Sequence, residues 1–290
     1  MIIILKNPKS CNNASGAAVD KFVAENLKEG EYTIYDVTTG LNYKEIFANL
    51  KENDEIYLFG GDGTLNFFVN DVHDIDIKNK IYFYPTGTGN DFINDVKKTP
   101  DEEIVRVPLN DYIKDLPYVI VNDEKRYFIN DVGFGIDGYC CEEGDRLAAL
   151  HPDKKVNYTS IAIKGLLFKY KTPNAKVTID DAEPLTFKRV WLAPTMKGRY
   201  YGGGMMVAPM QDRNLKGDLT FVVWSKSGKL STLMKFSKIF TGEHVKYKKF
   251  LFASKVKHHI LVEFDKPTAL QIDGETRSNI TKYEVFYEGK

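Results

Sequence analysis

Two glycine-rich loops constrain the fold of this chain more than any other feature. Residues 60–66 read GGDGTLN and residues 85–92 read PTGTGNDF. Each loop precedes a helix-like segment and follows a short run rich in β-branched and aromatic residues, 55–59 or 80–84, which is typical of a buried strand. Because glycine permits positive φ and close approach of the backbone, N–H groups there can point at an anion at the start of the next helix. The sequence therefore predicts an α/β sheet with phosphate-binding loops.

An ordinary tight turn is the alternative for either loop alone, because Gly-Asp-Gly is common in turns. Two such loops in consecutive βα units would lie side by side at the carboxyl ends of neighbouring parallel strands, and this favours a phosphate site. The chain has neither a GxxxxGK[ST] sequence nor a GxGxxG after its first strand. The sequence therefore argues against an ordinary P-loop enzyme and against a standard dinucleotide binder.

Two acidic residues in the loops, Asp62 and Asp91, cannot bind phosphate directly, because like charges repel. We expect them to hold Mg²⁺, to position water or to cap a loop. Four neutral residues would supply hydrogen bonds to a triphosphate: Thr64, Thr88, Asn66 and Asn90.

The pattern of strands and helices changes along the chain. Up to about residue 117, strand-like runs alternate with helix-like segments, which is typical of a mostly parallel sheet covered by helices. The last strand of this part is predicted near 104–107. From Tyr118 most strands follow one another without a helix, among them 260–264 and 269–272, which favours an antiparallel β-sandwich. A helix predicted at 157–170 is one of the exceptions. We predict an α/β nucleotide-binding domain at 1–117 and a β-rich domain at 118–279. The pattern leaves open whether a strand within 280–290 returns to complete the first domain.

Six motifs occur in a fixed order over most of the chain. They are NPKS at 7–10, GGDGTLN at 60–66, GTGNDF at 87–92, NDVGFGID at 130–137, YGGGM at 201–205 with AP at 208–209, and DGE at 273–275. Together they resemble the diacylglycerol kinase catalytic family, lipid kinases that share their nucleotide-binding fold with NAD kinases and sphingosine kinases. The resemblance implies that the second domain receives the lipid substrate.

The resemblance also implies which residues bind the nucleotide. They are Asn7, Pro8, Lys9, Ser10, Cys11, Thr38, Gly60, Gly61, Asp62, Gly63, Thr64, Leu65, Asn66, Gly87, Thr88, Asn90 and Asp91. The cofactors would be ATP and Mg²⁺, with Asp62 and Asp91 organising the catalytic metal.

By the same resemblance, Asp273 and Glu275 look like the catalytic acid-base pair, with Glu275 as the proton acceptor. Chemistry supports this role, because a lipid hydroxyl must lose its proton while it attacks the γ-phosphate and a nearby carboxylate can take that proton. The alternative is a β-turn at the end of the strand 269–272.

Three positions depart from the family pattern. Cys11 stands where the family usually has glycine, and Phe67 stands where it commonly has glutamate. Lys216 occupies a position at which bacterial members commonly use an Asp-Gly to bind a structural Mg²⁺. Because an ammonium group cannot ligate Mg²⁺, we expect this structural metal to be absent, with Lys216 in place of its charge.

Composition limits the partners of the chain. Lys+Arg and Asp+Glu both number 40, and this balance argues against a broad nucleic-acid footprint. Three cysteines are too few and too badly spaced for a disulfide framework, which indicates a reducing cytoplasm. No apolar stretch approaches the roughly 18 residues of a membrane-spanning helix. We therefore expect a cytoplasmic protein whose contact with the membrane is peripheral.

Two parts of the second domain contain residues suited to lipid contact. Residues 234–240 and 244–250 interleave basic and aromatic residues, as an interfacial segment does, although a half-buried helix and strand would have the same pattern. A further set of apolar residues would line an acyl-chain channel or belong to the core: Phe134, Ile161, Ile163, Leu166, Leu167 and Phe168.

The leading hypothesis is an ATP-dependent lipid kinase that transfers the γ-phosphate to diacylglycerol or a similar lipid, with Mg²⁺ bridging the phosphates. A kinase of a soluble substrate, as in the related NAD kinases, is the second hypothesis. The third is a nucleotide-binding regulator that has lost catalysis, motivated by Cys11, Phe67 and Lys216. The sequence does not choose between different lipids, between ATP and GTP, or between a monomer and a homodimer.

Overall fold

The computed structural model describes residues 1–8, 14–87, 89–99, 101–151, 154, 156–214 and 218–288 of the 290-residue chain. The chain divides into two compact units, Met1–Leu116 and Pro117–Lys290. The domain boundary predicted between residues 117 and 118 lies beside this division. Within the described residues, no helix is both long enough and apolar enough to cross a membrane.

The first unit contains a five-stranded sheet. Its strands are β1 Ile2–Lys6, β2 Tyr32–Asp36, β3 Glu55–Gly60, β4 Lys80–Pro85 and β5 Val107–Pro108. They lie in the order β2-β1-β3-β4-β5, and only β4 and β5 are antiparallel. The predicted α/β domain with a mostly parallel sheet is confirmed. A strand predicted at 104–107 is reduced to the two residues Val107–Pro108.

Helices connect the strands of the first unit. They are α1 Ala14–Asn26, α2 Tyr43–Ala48, α3 Asp62–Val72, α4 Asp91–Val96 and α5 Asn110–Ile113, with a 3₁₀ turn at Val37–Thr39. The ring of Phe22 in α1 packs against Tyr57, Phe59 and Tyr84, with ring centroids 5.2–5.7 Å apart. The aromatic residues that mark β3 and β4 in the sequence therefore form the core between the sheet and α1.

The second unit is an antiparallel β-sandwich, as predicted. Its strands are β6 Tyr118–Val121, β7 Glu124–Tyr127, β8 Asp131–Gly135, β9 Ala175–Ile179, β10 Leu185–Phe187, β11 Val190–Met196, β12 Tyr200–Tyr201, β13 Met205–Met206, β14 Leu219–Ser225, β15 Leu251–Val256, β16 His259–Ile272 and β17 Glu275–Phe286. Ten of them form one sheet that runs β15-β14-β11-β8-β16-β17-β6-β7, with β9 on β16 and β10 on β9.

The long strand β16 was expected as two strands, 260–264 and 269–272. It is one strand that pairs with β9 in its first half and with β8 in its second half. The register with β17 shifts between Glu263 and Thr268, around Pro267. Because proline cannot donate to a ladder, it interrupts the pairing there and leaves a bulge rather than a break.

Three helices belong to the second unit. They are α6 Ile136–Leu150, α7 Tyr158–Lys164 and α8 Lys229–Phe236, followed by short turns of other helix types at Gly165–Lys169, Ser237–Ile239 and Glu243–Lys246. The helix predicted at 157–170 therefore changes type at Gly165, where it becomes a π-helical turn. A Cβ on Gly165 would lie 2.7 Å from the Tyr139 ring of α6, so glycine permits this close packing.

The last strand belongs to the second unit. β17 pairs with β16 over most of its length and with β6 at its end, where Glu284 lies opposite Ile120. The suggestion that residues 280–290 complete the first domain is therefore wrong. The Asp-Gly turn before β17 returns the chain directly along β16, and this local pairing determines its place.

Candidate active site

The two glycine-rich loops of the first unit lie against each other. β3 and β4 are adjacent and parallel, with Gly60 opposite Pro85, and the Thr86 N–H donates to the Gly60 carbonyl at 2.8 Å. A Cβ on Gly87 would lie 2.7 Å from the Gly61 Cα, and a Cβ on Gly60 would collide with the Thr64 side chain. Glycine is therefore required at Gly87 by close packing between the loops, and at Gly60 by the packing of Thr64 within the first loop.

Asp62 joins the first loop to the helix that follows the second. Its Oδ2 accepts the Asp91 N–H and its Oδ1 accepts the Phe92 N–H, both at 3.0 Å. The sequence left three roles open for Asp62. In the structure it caps the start of α4. Each carboxylate oxygen has a second lone pair, so this capping is compatible with a metal contact.

A cavity of about 250 Å³ lies beside the first loop. Its lining residues are Asn7, Val37, Thr38, Tyr43, Thr64, Phe67, Phe68 and Asp71. Asn7 Nδ2 donates to Thr64 Oγ1 at 3.0 Å, so the end of β1 and the start of α3 meet at the polar part of this cavity. Three of the predicted nucleotide-binding residues, Asn7, Thr38 and Thr64, are thus brought together.

The remaining predicted residues of the loops differ in what they offer a ligand. Leu65 is fully buried and Asn66 nearly so, and both lie within α3. The buried Thr86 Oγ1 and Asn90 Oδ1 accept or donate no hydrogen bond among the residues that the structure describes. Such atoms in a buried site fit a polar ligand. Four predicted residues lie outside the described ranges: Lys9, Ser10, Cys11 and Thr88.

The carboxylates of this unit fit a magnesium ion that arrives with a nucleotide. Across the described parts of the chain, no group of three or more His, Cys, Asp and Glu side chains is arranged for a metal. Mg²⁺ is commonly bound through one or two carboxylates together with substrate phosphates rather than by a protein cage. Asp62 and the buried Asp91 are the two loop carboxylates that could hold such an ion. Lys216, the position of the predicted missing structural metal, lies outside the described residues.

In the second unit, the DGE motif lies at the hairpin between β16 and β17. Ile272 lies opposite Glu275, and the two residues between them have positive φ, 47° at Asp273 and 90° at Gly274. An Asp-Gly pair with these dihedrals is typical of a type I′ turn, whose twist matches that of the strands. The β-turn considered as the alternative is therefore present, and it places Glu275 at the first position of β17.

Asp273 holds a neighbouring segment of backbone. Its carboxylate accepts the N–H groups of Ile129, Asn130 and Asp131 at 2.7, 2.8 and 2.9 Å, and its own N–H donates to the Asp131 carbonyl. Only 8% of Asp273 is exposed. Asp273 therefore anchors the hairpin to the start of β8.

A buried polar cluster beside the hairpin contains three residues that sequence reasoning did not select. Gln271 Oε1 accepts the Gly274 N–H at 2.8 Å, and Gln271 Nε2 donates to Asp131 Oδ2 and, at 3.3 Å, to Asp137 Oδ2. Burial raises the pKa of Asp137 to about 6, against hydrogen bonds that lower it. Two acids within the apolar run 130–137 were the available signal, since buried carboxyl groups cluster at functional sites.

Glu275 has the properties of a proton acceptor. It is half-buried, and this burial is the main cause that raises its pKa; the charges of Asp145 and Asp273 act in the same direction, while Arg277 and Arg126 lower it. A carboxylate whose pKa is closer to neutrality is a stronger base than an ordinary glutamate. Thr276 Oγ1 donates to Asp145 at 2.8 Å, so the start of β17 is fixed to α6.

Charge changes around Glu275 should move the acid limb of the activity profile in opposite directions. If Glu275 is the proton acceptor, activity requires its deprotonated form and should fall as the pH drops through its raised pKa. Asp145→Asn removes a charge that raises this pKa, so we expect the acid limb at lower pH. Arg277→Gln removes a charge that lowers it, so we expect the limb at higher pH.

The measurement is kcat/KM for phosphoryl transfer against pH in the three proteins. Glu142→Gln is the matched control, because Glu142 lies on the same helix as Asp145 but contacts Ser278 instead. Coincident acid limbs in the wild type and both charge variants would show that a group other than Glu275 controls the profile.

Both units match known families. Residues 1–114 match the family described as "Diacylglycerol kinase catalytic domain", and residues 130–285 match the "YegS C-terminal NAD kinase beta sandwich-like domain". The chain is 26% identical over 204 residues to "Putative lipid kinase YtlR" of Bacillus subtilis, a match that covers 65% of this chain and 62% of that protein. It is 24% identical over 277 residues to "Putative lipid kinase SaurJH9_0749" of Staphylococcus aureus, with 89% and 82% covered.

Solved structures share the fold. A crystal structure of a diacylglycerol kinase from Bacillus anthracis has a TM-score of 0.58 at 16% identity, with 99% of this chain and 93% of that chain covered. A second from the same organism, titled a putative diacylglycerol kinase, has a TM-score of 0.66 at 18% identity, with 98% and 91% covered. At such identities the likeness shows the fold alone.

The α/β unit with its two glycine-rich loops and the β-sandwich unit define a protein of the diacylglycerol kinase-like class. The chain belongs to the diacylglycerol kinase catalytic-domain family. Membership of this kinase family implies the use of ATP.

Proposed function

We propose that this protein is an ATP-dependent lipid kinase that transfers the γ-phosphate to the hydroxyl of diacylglycerol or a similar lipid. The observation that carries the proposal is Glu275, a half-buried carboxylate with a raised pKa, held at a rigid hairpin in a chain that also has the paired glycine loops. We further propose that the protein works in the cytoplasm, at the surface of a membrane.

The proposed reaction is an in-line phosphoryl transfer. The lipid oxygen forms a bond to the γ-phosphorus, the bond from that phosphorus to the β–γ bridging oxygen breaks, and ADP leaves. The hydroxyl proton passes to a carboxylate oxygen of Glu275. Asp273 and Gln271 act as positioning residues, because their hydrogen bonds fix the turn that carries Glu275.

The first unit would bind and orient the nucleotide. We propose that the amides of the two loops, with Asn7 and Thr64, bind the phosphates. Asp62 and Asp91 would hold Mg²⁺, which when bound neutralises charge on the phosphates. Asp62 also keeps the two loops together through its bonds to the start of α4, so its side chain orders the site in addition to any metal contact.

The aromatic part of the cavity fits the nucleobase. Phe67, which replaces the family's glutamate, lies with Tyr43 and Phe68 in the lining, and 48% of Phe67 is exposed. Stacking of a base on an aromatic ring contributes roughly 1–3 kcal/mol. We expect Phe67→Ala to weaken ATP binding about tenfold or more, and Phe67→Trp to retain it, as measured by calorimetry. An unchanged affinity in the alanine variant would exclude stacking on Phe67.

The test of the function is transfer of ³²P from γ-labelled ATP to a panel of lipids in mixed micelles with Mg²⁺. A labelled lipid identifies the acceptor class, and a parallel series with GTP identifies the nucleotide. ATP binding without any labelled lipid would contradict the proposal. In that case label transferred to a soluble acceptor such as NAD would indicate the second hypothesis, and no transfer at all would indicate a nucleotide-binding regulator.

A further inference from the structure

Helix α8 carries large apolar side chains on its exposed face. Leu230 and Met234 are each 65% exposed and lie four residues apart, so they are neighbours on the same face of the helix. Phe240, in the segment that follows, is 50% exposed. On the opposite side of this region, Thr232 and Ile239 are buried within the unit. An apolar outer face on a helix whose inner face is already packed is unusual for a solvated surface.

A second set of exposed apolar residues lies on the adjacent element. In α7 and the π-helical turn, Ile163 is 43% exposed and Phe168 is 74% exposed. α8 packs against this turn, and Lys229 Nζ donates to the Leu167 carbonyl at 2.9 Å. Phe168 therefore follows the acceptor of this hydrogen bond, Leu167, and Leu230 follows its donor, Lys229. We call the five residues Ile163, Phe168, Leu230, Met234 and Phe240 the apolar patch.

The structure changes the expectations for these segments. Ile163 and Phe168, which were assigned to a channel or to the core, are at the surface, whereas Phe134 and Leu166 are fully buried. In the segment 244–250, His244 is buried. Only part of the interleaved basic and aromatic sequence therefore faces outward.

The two segments that carry the patch contain basic residues but no acidic ones. The segments 157–171 and 226–242 contain seven lysines and no aspartate or glutamate, in a chain whose total charge is zero. Six of the seven are exposed: Lys164, Lys169, Lys171, Lys226, Lys229 and Lys238. Acidic residues approach from neighbouring elements: Glu243 lies 3.4 Å from Lys238, and the pKa of Glu143 is lowered mainly by Arg146 and, to a smaller extent, by Lys169 and Lys164. The positive charge is still in excess.

We propose that the apolar patch docks the second unit onto a membrane surface that contains anionic lipids. Leu230, Met234 and Phe168 would enter the boundary between headgroups and acyl chains, while the surrounding lysines contact lipid phosphates. A bilayer fits better than a protein partner or a second copy of the chain, because long flexible lysines around an apolar centre match a fluid anionic surface. This inference deepens the proposed function and rests on it, because a kinase whose substrate is a lipid must reach the membrane that contains that lipid.

The test is co-sedimentation of the full chain with vesicles of equal parts phosphatidylcholine and phosphatidylglycerol, without nucleotide. We expect Leu230→Gln with Met234→Gln to weaken binding by about tenfold or more, and Lys169→Glu with Lys171→Glu to weaken it similarly and reduce its salt dependence. Matched controls are Leu185→Gln, an exposed apolar residue of β10, and Lys257→Glu with Lys282→Glu, exposed lysines of the same unit. Unchanged fluorescence of Trp191 and Trp224 verifies folding.

The possible outcomes separate this inference from the kinase proposal. Wild-type and patch variants that bind vesicles equally would overturn the docking surface, even if lipid phosphorylation in micelles is observed. Patch-dependent binding without phosphorylation of any lipid would support the surface and contradict the kinase. If the wild type is a dimer and the patch variants are monomers in sedimentation velocity, the patch is a contact between copies and the membrane assignment is wrong.

Discussion

Replacing Glu275 with glutamine should lower kcat for phosphoryl transfer by roughly 10²–10⁴-fold, the range that a general base contributes. Glutamine keeps the size and the position at the start of β17 but cannot accept the hydroxyl proton. The measurement is ³²P transfer to the lipid identified in the panel, with ATP affinity determined in parallel. We expect the affinity to be unchanged, because the cavity lined by Asn7, Thr38 and Thr64 belongs to the first unit.

Glu263→Gln is the matched control for this experiment. Glu263 lies in β16, is partly exposed and forms a 3.8 Å ion pair with Lys176, so its loss should leave kcat unchanged. Full activity in the Glu275→Gln variant would remove Glu275 as the base. If Glu275→Gln were inactive only because it had unfolded, the fluorescence of the buried Trp191 and Trp224 would reveal it.

Removal of the Asp273 carboxylate should destabilise the second unit. Asp273→Ala leaves the buried N–H groups of Ile129, Asn130 and Asp131 without their acceptor. Each unsatisfied buried group costs about 1–3 kcal/mol, so with three such groups we expect the free energy of unfolding to fall by at least about 3 kcal/mol. Asp273→Asn should cost less, because asparagine tolerates positive φ and keeps one acceptor oxygen.

Urea denaturation followed by tryptophan fluorescence measures this effect in the second unit alone, because both tryptophans of the chain, Trp191 and Trp224, lie there. Asp265→Ala is the control, since Asp265 accepts two hydrogen bonds from Asn174 but at an exposed position. We expect a change below about 1 kcal/mol for it. An Asp273→Ala protein that is as stable as the wild type but inactive would point to a chemical role for Asp273 instead of an anchoring one.

The two predictions assign different roles to Asp273 and Glu275, the two acidic residues of the DGE motif. Asp273 and Glu275 are separated only by Gly274, yet one makes three hydrogen bonds to backbone and the other has a raised pKa beside Asp145. Loss of Asp273 should therefore appear first as lost stability, and loss of Glu275 as lost turnover. A sequence motif alone cannot make this distinction, because it depends on which side chains meet the carboxylate in the folded chain.

The sequence by itself determined the features that depend on neighbouring residues. Alternating apolar runs predicted the parallel sheet of the first unit, and closely spaced strands predicted the sandwich, because strand and helix periodicity is a local property. The glycines at 60 and 87 marked the two loops, since a Cβ at either position would clash, with Thr64 in the same loop or with the Gly61 backbone of the other loop. The order of six motifs was sufficient to identify the family.

The tertiary structure decided everything that depends on distant contacts. Gln271 meets Asp131 across 140 residues of sequence, so a local pattern such as the two acids in 130–137 could not show that they form a buried cluster with Gln271. Asp62 likewise accepts hydrogen bonds from N–H groups 29 and 30 residues further along the chain, so its capping partners depend on the fold. The apolar patch appeared only in the fold, because exposure of Phe168 and Leu230 is set by what packs around them, and a hydrophobic sequence does not record which of its side chains remain uncovered.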